Sequence, residues 1–126
     1  MKQEAELRLA DRLQHIVEAI ERIDRYASDM DEVVFLRSEM VQDAVIRNLE
    51  IVGEACHVIE RDHPAFAAAH PELPLAAAYQ MRNATAHGYF KVDLEIVWRT
   101  IQTDLWDLHA QVLQALQMLA DVPKGD

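Results

Sequence analysis

The sequence predicts an all-α protein, and three observations support that fold class. Only 3 glycines and 4 prolines occur in 126 residues. Ala, Leu, Glu, Arg and Gln are abundant, and these side chains lose little rotamer freedom on a helical surface. Apolar residues recur every three or four positions, which places them on one face of a helix. The length suits one domain with a buried core, so we expect a single helical domain over residues 1–126.

The first predicted helix extends from about Glu4 to Ala27. The SDMD that follows contains residues that favour turns and caps, and the EVVFLR after it predicts a short helical piece. The apolar stripe of the first helix, with spacings of 4, 3, 4, 3 and 4, consists of Leu9, Leu13, Ile16, Ile20, Ile23 and Ala27.

A second long helix is predicted between Ser38, its expected N-cap, and Asp62. It ends there because His63 precedes a proline, and a residue before proline avoids helical geometry. Apolar residues lie on two of its faces, so we expect it to be wedged between neighbouring helices or between its own bundle and a second subunit. One face carries Val41, Val45, Leu49, Val52, Cys56 and Ile59, and the other carries Met40, Ala44, Ile51, Ala55 and Val58.

The remaining sequence predicts two more helices. HPAFAAAHPELP is typical of a linker with at most a short helical turn. Pro74 can begin the third helix, and Gly88 can end it in a left-handed conformation. Asp93 is the expected cap of the fourth helix. Together these elements predict an antiparallel four-helix bundle with short extra helical turns. The stripe of the fourth helix consists of Val97, Ile101, Leu105, Leu108, Val112, Ala115 and Leu119.

Composition limits the possible functions. The formal charge is −10, from 22 acidic and 12 basic residues, so non-specific coating of nucleic acid is excluded and any RNA contact must be local. The single Cys56 cannot form an intrachain disulfide, which favours a reducing cytoplasm. We expect no secretory signal and no membrane span, because charges interrupt the N-terminal residues and every long apolar run.

The stretch MRNATAHGYF at residues 81–90 is the candidate functional site. Five residues along an unbroken helix turn through about 500°, which leaves Arg82 and His87 about 140° apart. A break at Gly88 would bring both side chains to one face. RNA cleavage by the substrate's own 2′-hydroxyl needs proton transfer, which suits His87, and a cation for the phosphate, which suits Arg82. Asn83 could orient a phosphate or sugar, and the scheme needs no metal or other cofactor.

These residues resemble a known family. RNATAHGYF resembles the R-x4-H-x-Y signature of HepT-like proteins in the HEPN superfamily, and DAVIRNLEIVGEA and VDLEIVW also resemble it, in the same order. The resemblance therefore covers most of the chain. One departure is PLAAAYQ, which has Leu75 and Tyr79 where the family leads us to expect a tryptophan shortly after the proline.

The resemblance implies a metal-independent endoribonuclease toxin of the type VII, or HEPN/MNT, toxin–antitoxin class. It implies Arg82 and His87 as catalytic residues, Asn83 as the polar residue beside them, and Tyr89 as the acceptor of AMP. It also implies a homodimer that acts on RNA and a minimal nucleotidyltransferase antitoxin, MntA, as the partner. A two-fold axis near the site would bring together the His87 of each copy, which supplies the second proton-transfer group.

Other interpretations of the motif remain open. His87 could satisfy terminal helix carbonyls, Arg82 could form a surface ion pair, and Tyr89 could be a half-buried packing residue. Glu54, on the second helix, could orient Arg82 or His87, although a surface glutamate is the commoner outcome. The alternative function is a non-catalytic helical partner or substrate-binding subunit of a minimal nucleotidyltransferase.

Several further residues favour structural roles. Glu54–His57 and Glu60–His63 have Glu-x-x-His spacing, but both copies lie on one helix, which does not favour a two-metal centre. The remaining histidines outside the motif have no partners at ligand spacing, and the tryptophans are not interleaved with a run of basic residues, since Arg99 alone lies between them. We therefore expect solvated or capping roles for His15, His63, His70 and His109, and core or dimer packing for Trp98 and Trp106.

Overall fold

The structure, a computed structural model, describes residues 2–79 and 93–121. All regular structure in these residues is helical, which confirms the all-α fold. The helices are α1 (Lys2–Ala27), α2 (Glu32–Arg37), α3 (Glu39–Asp62), α4 (Pro64–Ala69), α5 (described over residues 75–79), α6 (Leu94–Gln102) and α7 (Asp104–Asp121). The predicted third helix begins as expected after Pro74, and its continuation to Gly88 lies outside the described residues.

Helix α1 forms the centre of the core, because it packs along both α3 and α7. All six residues of its predicted stripe are at most 5% exposed, which confirms the spacing argument. Each buried Leu or Ile side chain stabilises the fold by about 1.5–3 kcal/mol. The core that α1 organises extends to Phe35 of α2 and to Leu73 and Leu75 at the start of α5.

The two apolar faces of α3 differ in burial. The first face is buried through Val45, Val52 and Cys56, as predicted. The second face is buried at Ala55 and Val58, but its first residue, Met40, is 82% exposed. The expectation of two covered faces therefore holds only for the later turns of α3.

A polar connection joins α1 to α3. Arg22 Nε donates to Asn48 Oδ1 at 2.8 Å, and Asn48 Nδ2 donates to the carbonyl oxygen of Ala44 at 2.9 Å. Asn48 is only 5% exposed, so this pairing avoids the cost of burying an unsatisfied amide. The hydrogen bond between Arg22 and Asn48 therefore holds α1 and α3 side by side.

The predicted N-cap position of Ser38 is confirmed, but its side chain does not cap α3. Ser38 lies at the N-cap position of α3, but its hydroxyl donates to the carbonyl oxygen of Val34 at 2.7 Å and so ends α2. The turn between α2 and α3 is stabilised instead by Gln42, whose Nε2 donates to the carbonyl oxygen of Phe35 at 2.8 Å. Helix α2 has its own cap, since Asp31 Oδ1 accepts from the amide of Val34 at 2.9 Å.

The predicted continuous fourth helix is also wrong in one respect. It is divided at Thr103, whose backbone angles are φ −124° and ψ −67°, into α6 and α7. Thr103 Oγ1 donates to the carbonyl oxygen of Arg99 at 2.9 Å and closes α6. The apolar stripe continues through the break, because Ile101 and Leu105 are both buried.

A membrane-crossing helix is not found within residues 2–79 and 93–121, since none there is both long and apolar enough.

Candidate functional site

The predicted site residues fall in two groups. Arg82, Asn83, His87 and Tyr89 lie outside the described residues, and Glu54 lies within them. The described residues that come immediately before and after this motif in the sequence are those of α5 and Asp93.

The end of the described part of α5 is attached to α3 by an aromatic contact. The rings of His57 and Tyr79 stack with centroids 4.1 Å apart and planes inclined by 15°. Both side chains are partly buried. Because Tyr79 lies three residues before Arg82 in the sequence, this stack places the chain against α3 just ahead of the motif.

After the motif, the chain enters α6 through a predicted cap that the structure confirms. Asp93 Oδ1 accepts from the amides of Glu95 at 3.1 Å and Ile96 at 3.2 Å. Such a cap satisfies amides that have no partner within the helix. It therefore defines where α6 begins, at Leu94, five residues after Tyr89.

Glu54 is an exposed residue of α3, one turn before His57. Its side chain lines a groove between α1 and α3, together with Arg12, Arg47 and Glu50. Its predicted role in orienting Arg82 or His87 remains a prediction.

Cys56 is unsuited to nucleophilic chemistry. It is 0% exposed, and desolvation, with a smaller contribution from the charge of Glu60, raises the pKa of its thiol from 9.0 to about 12. A thiolate is the reactive form of cysteine, so this side chain acts as a small apolar group in the core.

Two of the histidines expected to be solvated or capping have carboxylate partners. His70 Nδ1 lies 2.9 Å from Glu72 Oε1, and the hydrogen bond from His70 is the main cause of the lowered pKa of Glu72. His109 Nε2 of α7 lies 3.1 Å from Glu21 Oε2 of α1. The second contact joins residues 88 apart in the sequence, which spacing alone could not indicate.

The tryptophans have different roles. Trp98 packs against the fully buried Phe35 with ring centroids 5.3 Å apart, as expected for a core residue. Trp106 is 41% exposed and meets His109 edge-on.

The Glu-x-x-His pairs form no metal site in the described part of the chain. No group of three or more His, Cys, Asp or Glu side chains there could hold a metal ion. His57, from the first pair, is engaged by Tyr79 instead.

The contact that the sequence analysis missed is the stack between His57 and Tyr79. The only signal was the departure from the family at PLAAAYQ, where Tyr79 is the nearest aromatic residue to the expected tryptophan. Its partner could be known only once α3 and α5 were placed side by side.

The long paired helices and the capped α6, with an arginine–histidine motif before α6 in the sequence, are those of an all-α protein of the HEPN type. The chain belongs to the ribonuclease HepT-like family, which matches residues 16–115. The matched range includes the whole of the motif at residues 82–89.

Three curated relatives are similar to this chain. "Probable ribonuclease HepT" from Thermococcus cleftensis is 40% identical over 95 residues, which cover 75% of this chain and 84% of that protein. "Putative RNase MJ1380" from Methanocaldococcus jannaschii is 31% identical over 100 residues, covering 79% of this chain and 89% of that protein. No solved structure matches the chain.

The third relative is longer. "Gamma-glutamylcyclotransferase and putative RNase MJ0434", also from Methanocaldococcus jannaschii, is 35% identical over 107 residues, which cover 85% of this chain. The match covers 47% of that protein, so this chain spans about half of its length.

Proposed function

We propose that this chain is a metal-independent endoribonuclease toxin in which Arg82 binds the scissile phosphate and His87 transfers protons. The observation that carries the proposal is the family match over residues 16–115, which contains the motif. The names of the relatives, one a ribonuclease and two with RNase in the name, support the same chemistry. We propose that residues 1–126 act as one helical domain in the cytoplasm.

The proposed reaction is transesterification. The 2′-oxygen of the substrate attacks the neighbouring phosphorus while a base takes its proton, the bond to the 5′-oxygen breaks, and an acid protonates that oxygen. The products are a 2′,3′-cyclic phosphate and a 5′-hydroxyl end. Arg82 stabilises the charge on the phosphoryl oxygens, and Asn83 and Glu54 orient the substrate and the catalytic side chains.

A homodimer completes this scheme. The reaction uses one base and one acid, and each chain contributes one His87. A two-fold axis beside the motif lets one His87 act as base and the other as acid.

Tyr89 is the proposed point of regulation. A minimal nucleotidyltransferase of the MntA type transfers AMP from ATP: the Tyr89 phenolic oxygen attacks the α-phosphorus, pyrophosphate leaves, and the phenolic proton passes to a base. The added phosphate and adenosine, two residues from His87, then exclude RNA by charge and volume.

The test is RNA cleavage by purified protein, freed of any modification, in the presence of EDTA. Wild type should produce fragments with 5′-hydroxyl ends, and His87→Ala and Arg82→Gln should lower the rate at least about a hundredfold. His63→Gln and Arg25→Gln are the controls, because they remove the same residue types outside the motif. Intact mass should show whole-AMP increments after treatment with the antitoxin, and none in Tyr89→Phe.

The alternative function predicts a different result. A non-catalytic partner of a nucleotidyltransferase would leave wild type and His87→Ala equally inert towards RNA while both still bind that enzyme.

A further inference from the structure

A polar groove of ≈ 330 Å³ separates α1 from α3 on the outside of the bundle. Its charged and polar lining comes from Arg12 and His15 of α1 and from Arg47, Glu50 and Glu54 of α3. Two arginines and a histidine thus converge on one surface of a chain whose formal charge is −10.

In the described part of the chain, two other grooves have only acidic residues as their charged lining. The one between α3, α5 and α7, of ≈ 400 Å³, has Glu72, Asp104 and Asp107 as its charged lining residues. A smaller one of ≈ 130 Å³ has Asp24. Carboxylates repel a phosphate chain, and no arginine is among the described lining residues of these two grooves. RNA would therefore favour the groove between α1 and α3, where Arg12 and Arg47 offset the charges of the two glutamates.

The arginines of this groove are available to a ligand. Arg47 lies 3.8 Å from Glu50, but its side chain is 72% exposed, so this ion pair is weak. Arg12 is also exposed. Either guanidinium can turn towards a phosphate at a small cost in free energy. The planar guanidinium group also matches the geometry of phosphate oxygens.

The groove includes a residue of the candidate site. Glu54 lines it, and Glu54 is also the α3 residue proposed to orient Arg82 or His87. His57, one turn further along α3, holds Tyr79 just before the motif. Glu54 and His57 thus lie on successive turns of α3, and Tyr79 lies three residues before Arg82 in the sequence.

We propose that Arg12, His15 and Arg47 bind the sugar-phosphate backbone of single-stranded RNA and position it for cleavage at the motif. This inference rests on the proposed ribonuclease function. These three are positioning residues, since they act on the substrate away from the bond that breaks. The contacts are with phosphates, so binding should be independent of sequence and dependent on salt.

The test uses a fluorescent 2′-O-methyl oligonucleotide, which cannot be cut because it has no free 2′-hydroxyl. Anisotropy at several salt concentrations gives the affinity of the full chain and the number of phosphate contacts. Arg12→Gln and Arg47→Gln should each weaken binding about five- to tenfold at low salt and lower the slope of log K against log salt by about 0.7. Glu50→Gln should strengthen binding, because it removes the competitor for Arg47.

Arg25→Gln is the matched control. It removes the same charge from the same helix, about 20 Å along α1 from Arg12. It should leave both affinity and slope at the wild-type values, and circular dichroism should confirm that all variants are folded.

The outcomes separate the two proposals. If wild type does not cut RNA but binds the oligonucleotide through Arg12 and Arg47, the groove is correct and the ribonuclease proposal fails. The groove proposal is overturned if wild type cuts RNA while Arg12→Gln and Arg47→Gln bind the oligonucleotide as tightly as wild type does. It is also overturned if these two variants bind the oligonucleotide no more weakly than Arg25→Gln does. Absence of any binding to the oligonucleotide also overturns it.

Discussion

The imidazole of His57 lies flat against the phenol ring of Tyr79, with the ring centroids 4.1 Å apart. This contact is one link between α3 and the segment that leads into the Arg82–His87 motif, beside the burial of Leu75 in the core. The stack therefore contributes to the packing of α5 on α3, three residues before Arg82 in the sequence.

Loss of the stack should lower the free energy of unfolding by a measurable amount. Tyr79→Ala should lower the free energy of unfolding by about 1–2 kcal/mol, because it removes a partly buried ring and an aromatic contact. Tyr26→Ala, at a 40% exposed tyrosine of α1, is the control and should cost less. A double-mutant cycle with His57→Ala should give a coupling of about 0.5–1.5 kcal/mol, and Tyr79→Phe should keep it. A coupling of zero would contradict the contact.

The core at the junction of α2 and α6 should depend on Phe35. This side chain is 0% exposed and packs on Trp98, so Phe35→Ala should lower the free energy of unfolding by about 3–5 kcal/mol. Val33→Ala, on the same helix but 56% exposed, should change it by less than about 0.5 kcal/mol. Denaturant titration measures both, and similar values for the two variants would refute the packing described.

The start of α6 should depend on the carboxylate of Asp93. Asp93→Ala should lower the free energy of unfolding by about 1 kcal/mol, because the amides of Glu95 and Ile96 lose their acceptor. Asp93→Ser keeps a capping oxygen and should retain most of the stability. Thermal denaturation compares the three proteins, and a serine variant as unstable as the alanine variant would argue against capping.

Cys56 should make stability fall at alkaline pH. Burial raises the pKa of its thiol from 9.0 to about 12, so the folded protein holds the proton more tightly than the unfolded chain. The contribution is complete below pH 9 and is lost as the pH rises towards 12, by up to about 1.4 kcal/mol per pH unit. The measurement is the free energy of unfolding of wild type minus that of Cys56→Ala, which isolates this thiol from other groups. A difference that is constant between pH 9 and 12 would disprove the shift.

Much of the fold could be predicted because burial follows periodicity. The stripe of α1 and the cap at Asp93 depend on residues close in sequence, and both were predicted correctly. The break at Thr103 could not be predicted, because the apolar residues on either side keep their phase through it. Ser38 lies between two helices, and local sequence does not determine which of them its hydroxyl serves.

The candidate site was less predictable for a related reason. The motif could be recognised from its own residues together with the two flanking stretches that resemble the family, but the residues proposed to support it come from other helices. His57 and Tyr79 are 22 positions apart in the sequence, and Arg12 and Arg47 come from α1 and α3. Contacts of this kind depend on how the helices pack, which no local pattern specifies.

The burial of Cys56 also makes the molecule convenient for spectroscopy. It is the single cysteine of the chain, and its sulfur is enclosed, so the outer surface carries no native thiol to compete for a dye or spin label. A cysteine introduced at an exposed position such as Met118, which is 55% accessible, would be the sole attachment point. Mixing donor- and acceptor-labelled molecules would then test by energy transfer whether two copies pair as proposed, with the interior left intact.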